Sequence, residues 1–356
     1  MLRLLVKRAG IVFIALVALM VCTIVAGGCA LDAPGYQGPK SDHFDGTHFF
    51  TPGMPKRSTG TAQFFEWQLD RHQGPWPMHE DAKPGEPPPE RVDGGKMRVT
   101  FINHATTLIQ LDGVNVLTDP IWAERASPFS FAGPKRVRPP GLTMKELPPI
   151  DLIVLSHNHY DHLDLHALKA LQDQFPKVQI FCGLGVGPFL EQKGLSHVTQ
   201  LDWWQSRPFG PITVVSAPNR HFSNRGLFDQ DETLWTAWVL EGASGRAYFA
   251  GDTAWGDHFK AARQKLGPMR LAVLPIGAFR PEWFMGAVHM TPADAVRAAQ
   301  DLEARLAVPM HYGTFPLADD GEDEAVEQLQ AALKQTQTPP DFRVLGFGEG
   351  VDVPLP

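Results

Sequence analysis

The string Ser156-His157-Asn158-His159-Tyr160-Asp161-His162, set directly behind the apolar run Leu152 to Leu155, constrains this chain more than any other feature. A short apolar run of this kind reads as a buried strand, so four metal-binding or proton-moving side chains leave the core at its C-terminal end. Residues alternating along an extended segment point the same way. His157 and His159 therefore face one ion, and a turn at Tyr160 brings Asp161 and His162 round to a second. Neutral imidazoles and a carboxylate suit zinc, which in catalytic sites keeps one position for water. Four donors are too few for two ions, so the others must come from distant segments. Three candidates each follow an expected strand: His221 for the first ion, Asp252 in Gly251-Asp252-Thr253 as a bridging carboxylate, and His311 for the second.

The surrounding pattern is that of a mixed α/β domain. The runs 97–103 and 106–120 give short β-branched strands joined at Asp112-Gly113, a hairpin signal. Further strands are expected at 178–181, 212–216, 234–240, 247–250, 271–275 and 307–310. Helices are expected at 165–174, 292–306 and 323–334, the second opening on Thr291 as N-cap with Pro292 behind it. Strand-rich halves separated by helices point to two sheets sandwiched between helix layers. Residues 97–356 read as one catalytic domain, and 29–96, rich in Pro and Gly apart from a periodic stretch near 63–69, as a spacer lying along it or in solvent.

Residues 1–28 read as an export signal. A basic start with Arg3, Lys7 and Arg8 precedes an apolar run from Ile11 to Val25, and small residues Ala26-Gly27-Gly28 stand before Cys29. Ala-Gly-Gly-Cys resembles a bacterial lipobox, which implies a lipid-modified Cys29 at a new N-terminus; the other reading is an uncleaved membrane anchor. Either way the catalytic part is tethered beside a membrane, in the bacterial cell envelope facing the periplasm or exterior. The third cysteine, Cys182, stands alone, which excludes a disulfide framework and a thiolate metal site and leaves a buried thiol. A formal charge of -7, more acidic still without the leader, argues against a nucleic-acid partner.

Beyond the metal string, a lone His, Gly-Asp-Thr and a final His follow in the order seen in the metallo-β-lactamase fold superfamily. More narrowly, the segments 117–136, 146–164, Leu201-Asp202-Trp203-Trp204, Phe249-Ala250-Gly251-Asp252-Thr253, 275–285 and 310–315 resemble the N-acylphosphatidylethanolamine-hydrolysing phospholipase D family, over about residues 92–350. The resemblance implies an αββα sandwich of two mixed sheets flanked by helices. It implies His157, His159 and His221 on one zinc, Asp161, His162 and His311 on the other, and Asp252 between them. It also implies a membrane-phospholipid substrate and a homodimer. Asn103-His104-Ala105-Thr106 departs from the usual Gly-His-Ala-Thr, and Ala254-Trp255 follows Gly-Asp-Thr.

The chemistry expected is phosphodiester hydrolysis by a hydroxide shared between two ions about 3.5 to 4 Å apart, its pKa lowered to roughly 7. Asp161 would orient the hydroxide, Asp252 would hold the pair's spacing, and His289 would contact the phosphate or assist the leaving oxygen. Asp119, and with less support His104, would hydrogen-bond a ligand histidine. Trp122, Phe129, Phe131, Trp283, Phe284 and Met285 are candidates for an acyl-chain groove, and Lys135, Arg136 and Arg138 for contacts to anionic head groups. Competing expectations are a same-fold hydrolase of a lactone, cyclic nucleotide or β-lactam, and a non-catalytic envelope lipoprotein.

Overall fold

The structure is a computed structural model that describes residues 27–28, 31–54 and 61–355. The basic start and apolar run of the expected signal, and Cys29, lie outside the described residues. Among those described, no helix is long and apolar enough to cross a membrane.

Two sheets face each other. The first has seven strands: β1 (Met97–Asn103), β2 (Thr106–Leu111), β3 (Val114–Thr118), β4 (Leu152–Val154), β5 (Gln179–Gly183), β6 (Val198–Leu201) and β13 (Gly350–Asp352), in spatial order β13-β1-β2-β3-β4-β5-β6. The second has six: β7 (Ser206–Phe209), β8 (Ile212–Ala217), β9 (Ala237–Gly242), β10 (Gly245–Phe249), β11 (Leu271–Pro275) and β12 (Leu306–Met310), in order β12-β11-β10-β9-β8-β7. Both are mixed. Hairpin neighbours such as β1–β2 and β8–β9 run antiparallel, whereas β3–β4, β4–β5, β10–β11 and β11–β12 are parallel.

Alternation along the strands decides which face each residue takes. In the first sheet Phe101, Ile109, Val116, Leu152, Val154 and Phe181 point inward to the shared core, with Val214, Trp238, Phe249 and Val273 from the second sheet. Their neighbours Ile102, Leu108, Leu117, Ile153, Ile180 and Cys182 point outward, under α2 (Leu165–Gln174) and α3 (Val186–Gln192). Cys182 is fully buried and reduced, as its position between two apolar layers requires. On the far side α4 (His258–Leu266), α6 (Pro292–Asp301) and α7 (Glu324–Gln335) bury Phe259, Ala295, Ala299 and Leu329 against the second sheet. The αββα arrangement is the expected one.

Boundaries differ where local chemistry intervenes. The helix expected over 292–306 stops at Asp301, because Glu303 turns left-handed at φ 48° and Leu306 enters β12. The strand expected from Leu234 begins only at Ala237. Strands β6, β7 and β13 carry no clear strand signal in the sequence, being short and, in β7, carrying exposed Arg207 and Pro208 on a sheet edge.

The stretch before Met97 is in contact with the sandwich. Phe44 and Phe49 pack with Leu234 and Trp235. In α1 (Thr61–Leu69), Trp67 is buried with Ala278, Met285 and Ala318, next to α5 (Glu282–Met285). One contact joins the two sheets beside the site: Trp238 of β9, fully buried, donates from its indole to the carbonyl of Leu155, two residues before His157, at 3.0 Å. Trp238→Ala is expected to destabilise by about 3–5 kcal/mol. Chemical denaturation monitored by fluorescence would read this as a lower midpoint at an unchanged slope.

Candidate metal centre

Strand direction gathers the site. Within the first sheet β1, β3 and β4 run the same way, and their C-terminal ends deliver His104, Asp119 and the 157–162 string. Within the second, β8, β10 and β12 do likewise and deliver His221, Asp252 and His311. All these loops meet at one end of the sandwich.

His157, His159 and His221 form one set. Nε2 of His157 lies 2.7 Å from Nδ1 of His159, and Nε2 of His221 lies 3.3 Å from the same atom. Two of the rings, His157 and His221, are anchored from behind. The Ser156 hydroxyl meets Nδ1 of His157 at 2.8 Å, and Nδ1 of His221 donates to the carbonyl of Val288 at 2.9 Å, which leaves Nε2 of His221 without a proton. Burial holds His157 and His221 well below the usual imidazole range and brings His159 down to about 3. Three neutral nitrogens thus converge on one point.

The second set is His104, Asp161, His162 and His311. Oδ2 of Asp161 lies 3.0 Å from Nε2 of His104, 3.4 Å from that of His162 and 3.3 Å from that of His311. Asp252 stands between the sets, its Oδ2 3.1 Å from His162, 3.0 Å from His311 and 3.8 Å from His221. Burial would raise both carboxyls, but His162 and the other imidazoles hold Asp161 and Asp252 well below the carboxylate range. Conversely, burial lowers the imidazoles, yet Asp252 and Asp161 lift His162 well above its usual value and His311 to about 9. Buried carboxylates here draw positive charge.

The seven residues expected from the sequence as metal donors are therefore brought together, with Asp252 between the two sets. A divalent pair fits this geometry on the structure's own terms. Facing imidazole lone pairs in the first set need a proton or cation between them, and Oδ1 of Asp252, fully buried, has no hydrogen-bond partner among the described residues. His289 joins them, within reach of His221 and Asp252, its ring 5.2 Å from that of His221 and 5.4 Å from that of His311. Burial lowers it to about 4, and its Nδ1 has no partner among the described residues.

Asp119 holds the frame. Its Oδ2 accepts from Nδ1 of His162 at 2.7 Å and from the Ser156 hydroxyl at 2.5 Å, while Oδ1 accepts from the Ser156 amide at 2.7 Å. One carboxylate thus orients an imidazole of the second set and the serine behind the first. Asp119, His104 and His311 all have positive φ, at 32°, 46° and 63°, a conformation non-glycine residues adopt at a cost that packing must offset. Gly251 at φ 60° passes so close to Ser156 that a β-carbon would overlap it, which is what lets Asp252 reach the 157–162 loop.

Other assignments change. His104 meets the carboxylate of Asp161 rather than a ligand histidine, because the left-handed turn between β1 and β2 swings its ring inward. The six apolar residues proposed for one groove are dispersed: Trp122 packs under the first sheet, Phe284 stacks on Trp67, Met285 is buried, and Phe129, Phe131 and Trp283 are exposed. Arg136 is buried and donates to the carbonyls of Ala123 and Ile121, and Arg138 pairs with Glu322, so neither is free for a head group. Unforeseen is a cavity of about 630 Å3 beside His221, walled by Phe49, Phe50, Met54, Trp235 and Val288. The adjacent Phe49-Phe50 in a Pro/Gly-rich stretch was the only hint of it.

Known proteins share this fold. The profile of the Beta-lactamase superfamily domain matches residues 114–312. The chain belongs to the β-lactamase superfamily. Its narrower resemblance holds as well: it is 42% identical over 228 residues to N-acyl-phosphatidylethanolamine-hydrolyzing phospholipase D 1 of Caenorhabditis elegans, covering 61% of this chain and 64% of that one. The chain thus spans less than two thirds of that relative. An uncharacterised Mycobacterium tuberculosis protein is 40% identical over 72% of this chain and 71% of its own. In fold, it is similar to a metallo hydrolase of the archaeon Ignicoccus hospitalis, with a TM-score of 0.56 and 22% identity over 73% of this chain and 100% of that one.

Asp119→Asn keeps the shape of the frame but accepts one bond fewer. Zinc affinity is expected to fall roughly 10–100-fold with the fold intact, as read by calorimetric titration alongside circular dichroism.

Proposed function

We propose that this chain is a dinuclear zinc phosphodiesterase of phospholipase D type, hydrolysing N-acylphosphatidylethanolamine-like lipids to phosphatidic acid and an N-acylethanolamine. The observation that carries it is Oδ2 of Asp252, shared between an all-imidazole set and a carboxylate-containing set. His157, His159 and His221 would hold one ion, Asp161, His162 and His311 the other, with Asp252 between. When bound, such a pair acidifies water and neutralises charge on a phosphodiester.

The chain's own groups supply the rest. Asp161, the ionised carboxylate of the second set, accepts a hydrogen bond from the attacking water and sets its direction. The water oxygen bonds to phosphorus, the bond from phosphorus to the ethanolamine oxygen breaks, and that oxygen takes up the proton the water gives up. His289, buried against His221 and Asp252, stands where it meets the phosphate or the departing oxygen. The cavity walled by Phe49, Phe50, Met54, Trp235 and Val288 offers apolar surface to an acyl chain beside the reacting bond. The similarity to the C. elegans phospholipase supports this substrate class. The leader and Cys29 support tethering to a bacterial envelope, and a homodimer belongs to the same reading.

Purified protein is expected to cleave N-acylated phosphatidylethanolamine in detergent micelles, with phosphatidic acid seen by mass spectrometry. Turnover confined to a lactone, a cyclic nucleotide or a β-lactam would replace the lipase reading by a soluble-substrate one. Chelation should abolish activity and zinc should restore it, with elemental analysis giving two ions per chain. Asp161→Ala and Asp252→Ala should each lower kcat by roughly a hundredfold or more while the protein stays folded; full activity in both would contradict the mechanism.

A further inference from the structure

We propose that the loops 126–133 and 225–231 form a face that docks on a phospholipid bilayer, beside the point where the N-terminal segment enters the fold. Four large apolar side chains stand out from these loops: Phe131 is 80% exposed, Phe228 56%, Leu227 54% and Phe129 48%. They are displayed by built loops rather than left over from poor packing. Arg125 donates to the carbonyls of Ser130 at 3.1 Å and Gly133 at 2.6 Å, which fixes the first loop and sets the Phe129 and Phe131 rings 5.5 Å apart. Oδ1 of Asp229 accepts from the amides of Arg225 and Gly226 and closes the second. Exposed apolar surface held this firmly calls for a partner.

The path of the chain says which partner. Residues 28 and 31–33 run between the two loops. Gly28 lies so close to Leu227 that a β-carbon would overlap its side chain, Asp32 accepts from the Phe228 amide at 3.1 Å, and the Ala33 amide donates to Asp229 at 2.8 Å. On the other side Leu31 lines a recess of about 190 Å3 with Arg125, Ser127, Pro128, Tyr160 and Arg225. The apolar run Ile11 to Val25 ends six residues before Leu31. Six residues reach roughly 20 Å at full extension, so a retained anchor, or the lipid on Cys29 that cleavage would leave two residues before Leu31, enters its medium beside this face. A bilayer satisfies either tether and the four exposed side chains.

The same face adjoins the metal centre. Tyr160, between His159 and Asp161, lines the recess, and Arg225 lies 4.0 Å over its ring while donating to the carbonyls of Asn158 and Leu163. A membrane seated here would present its lipids next to the metal loop. The proposal rests on reading the leader as membrane-directed, and its test separates the two. The full chain, carrying photoreactive benzoylphenylalanine in place of Phe131, of Phe228 or, as control, of exposed Gln330 on α7, is mixed with vesicles of phosphatidylethanolamine and phosphatidylglycerol. Flotation reads the tether, and lipid adducts after irradiation read the face. Adducts at 131 and 228 several-fold above those at 330 are expected. A chain that floats but gives no adduct at 131 and 228, or as much at 330, overturns the docking face and leaves the tether standing.

Discussion

Crowding several buried imidazoles around two buried carboxylates is the constraint to which the rest of this structure answers. Such groups in a dry interior compete for protons, and they keep their places only if each ring is tied from behind and the net charge is balanced. The ties are specific: Asp119 to His162, Ser156 to His157, Val288 to His221. Opposite pKa displacements follow from the same arrangement. Neutral imidazoles collect in one set, and in the other the carboxylates draw positive charge towards His162 and His311.

The sandwich gives those ties a rigid base. Two sheets with a common apolar core leave their strand ends as the only place where polar loops can gather without burying unpaired backbone. Trp238 shows how tightly core and site are joined, since one indole fills the space between the sheets and holds the carbonyl just before the 157–162 string. The left-handed residues Asp119, His104 and His311 mark where the backbone bends against its preference to aim side chains inward. Their cost is offset by the packing beneath them.

Segments outside the sandwich complete the surroundings. Phe49, Phe50 and Met54 wall the cavity beside His221, and residues 28 and 31–33 lie between two loops that display aromatic side chains. The centre thus has an apolar cavity on one side and, on another, the recess lined by Leu31 and Tyr160.

Much of this was legible in the residues. Short β-branched or apolar runs located β1 and β11, and a helical stripe located α2, because each pattern must match the face it buries. The donors at 157–162 announced themselves by spacing, and His221, Asp252 and His311 by standing behind apolar runs. The end of α6 at Asp301, the exposed edge strand β7 and the inward turn of His104 were not legible, since each is decided by a neighbour distant in sequence or by a backbone angle no side chain signals. Composition and order thus determined that this chain carries a metal-binding donor set on an α/β core, because residue type limits the chemistry. Which oxygen lies between which nitrogens, and which aromatic side chains are buried and which face outward, only the tertiary structure decided, because those relations depend on distances across the fold that no local rule contains.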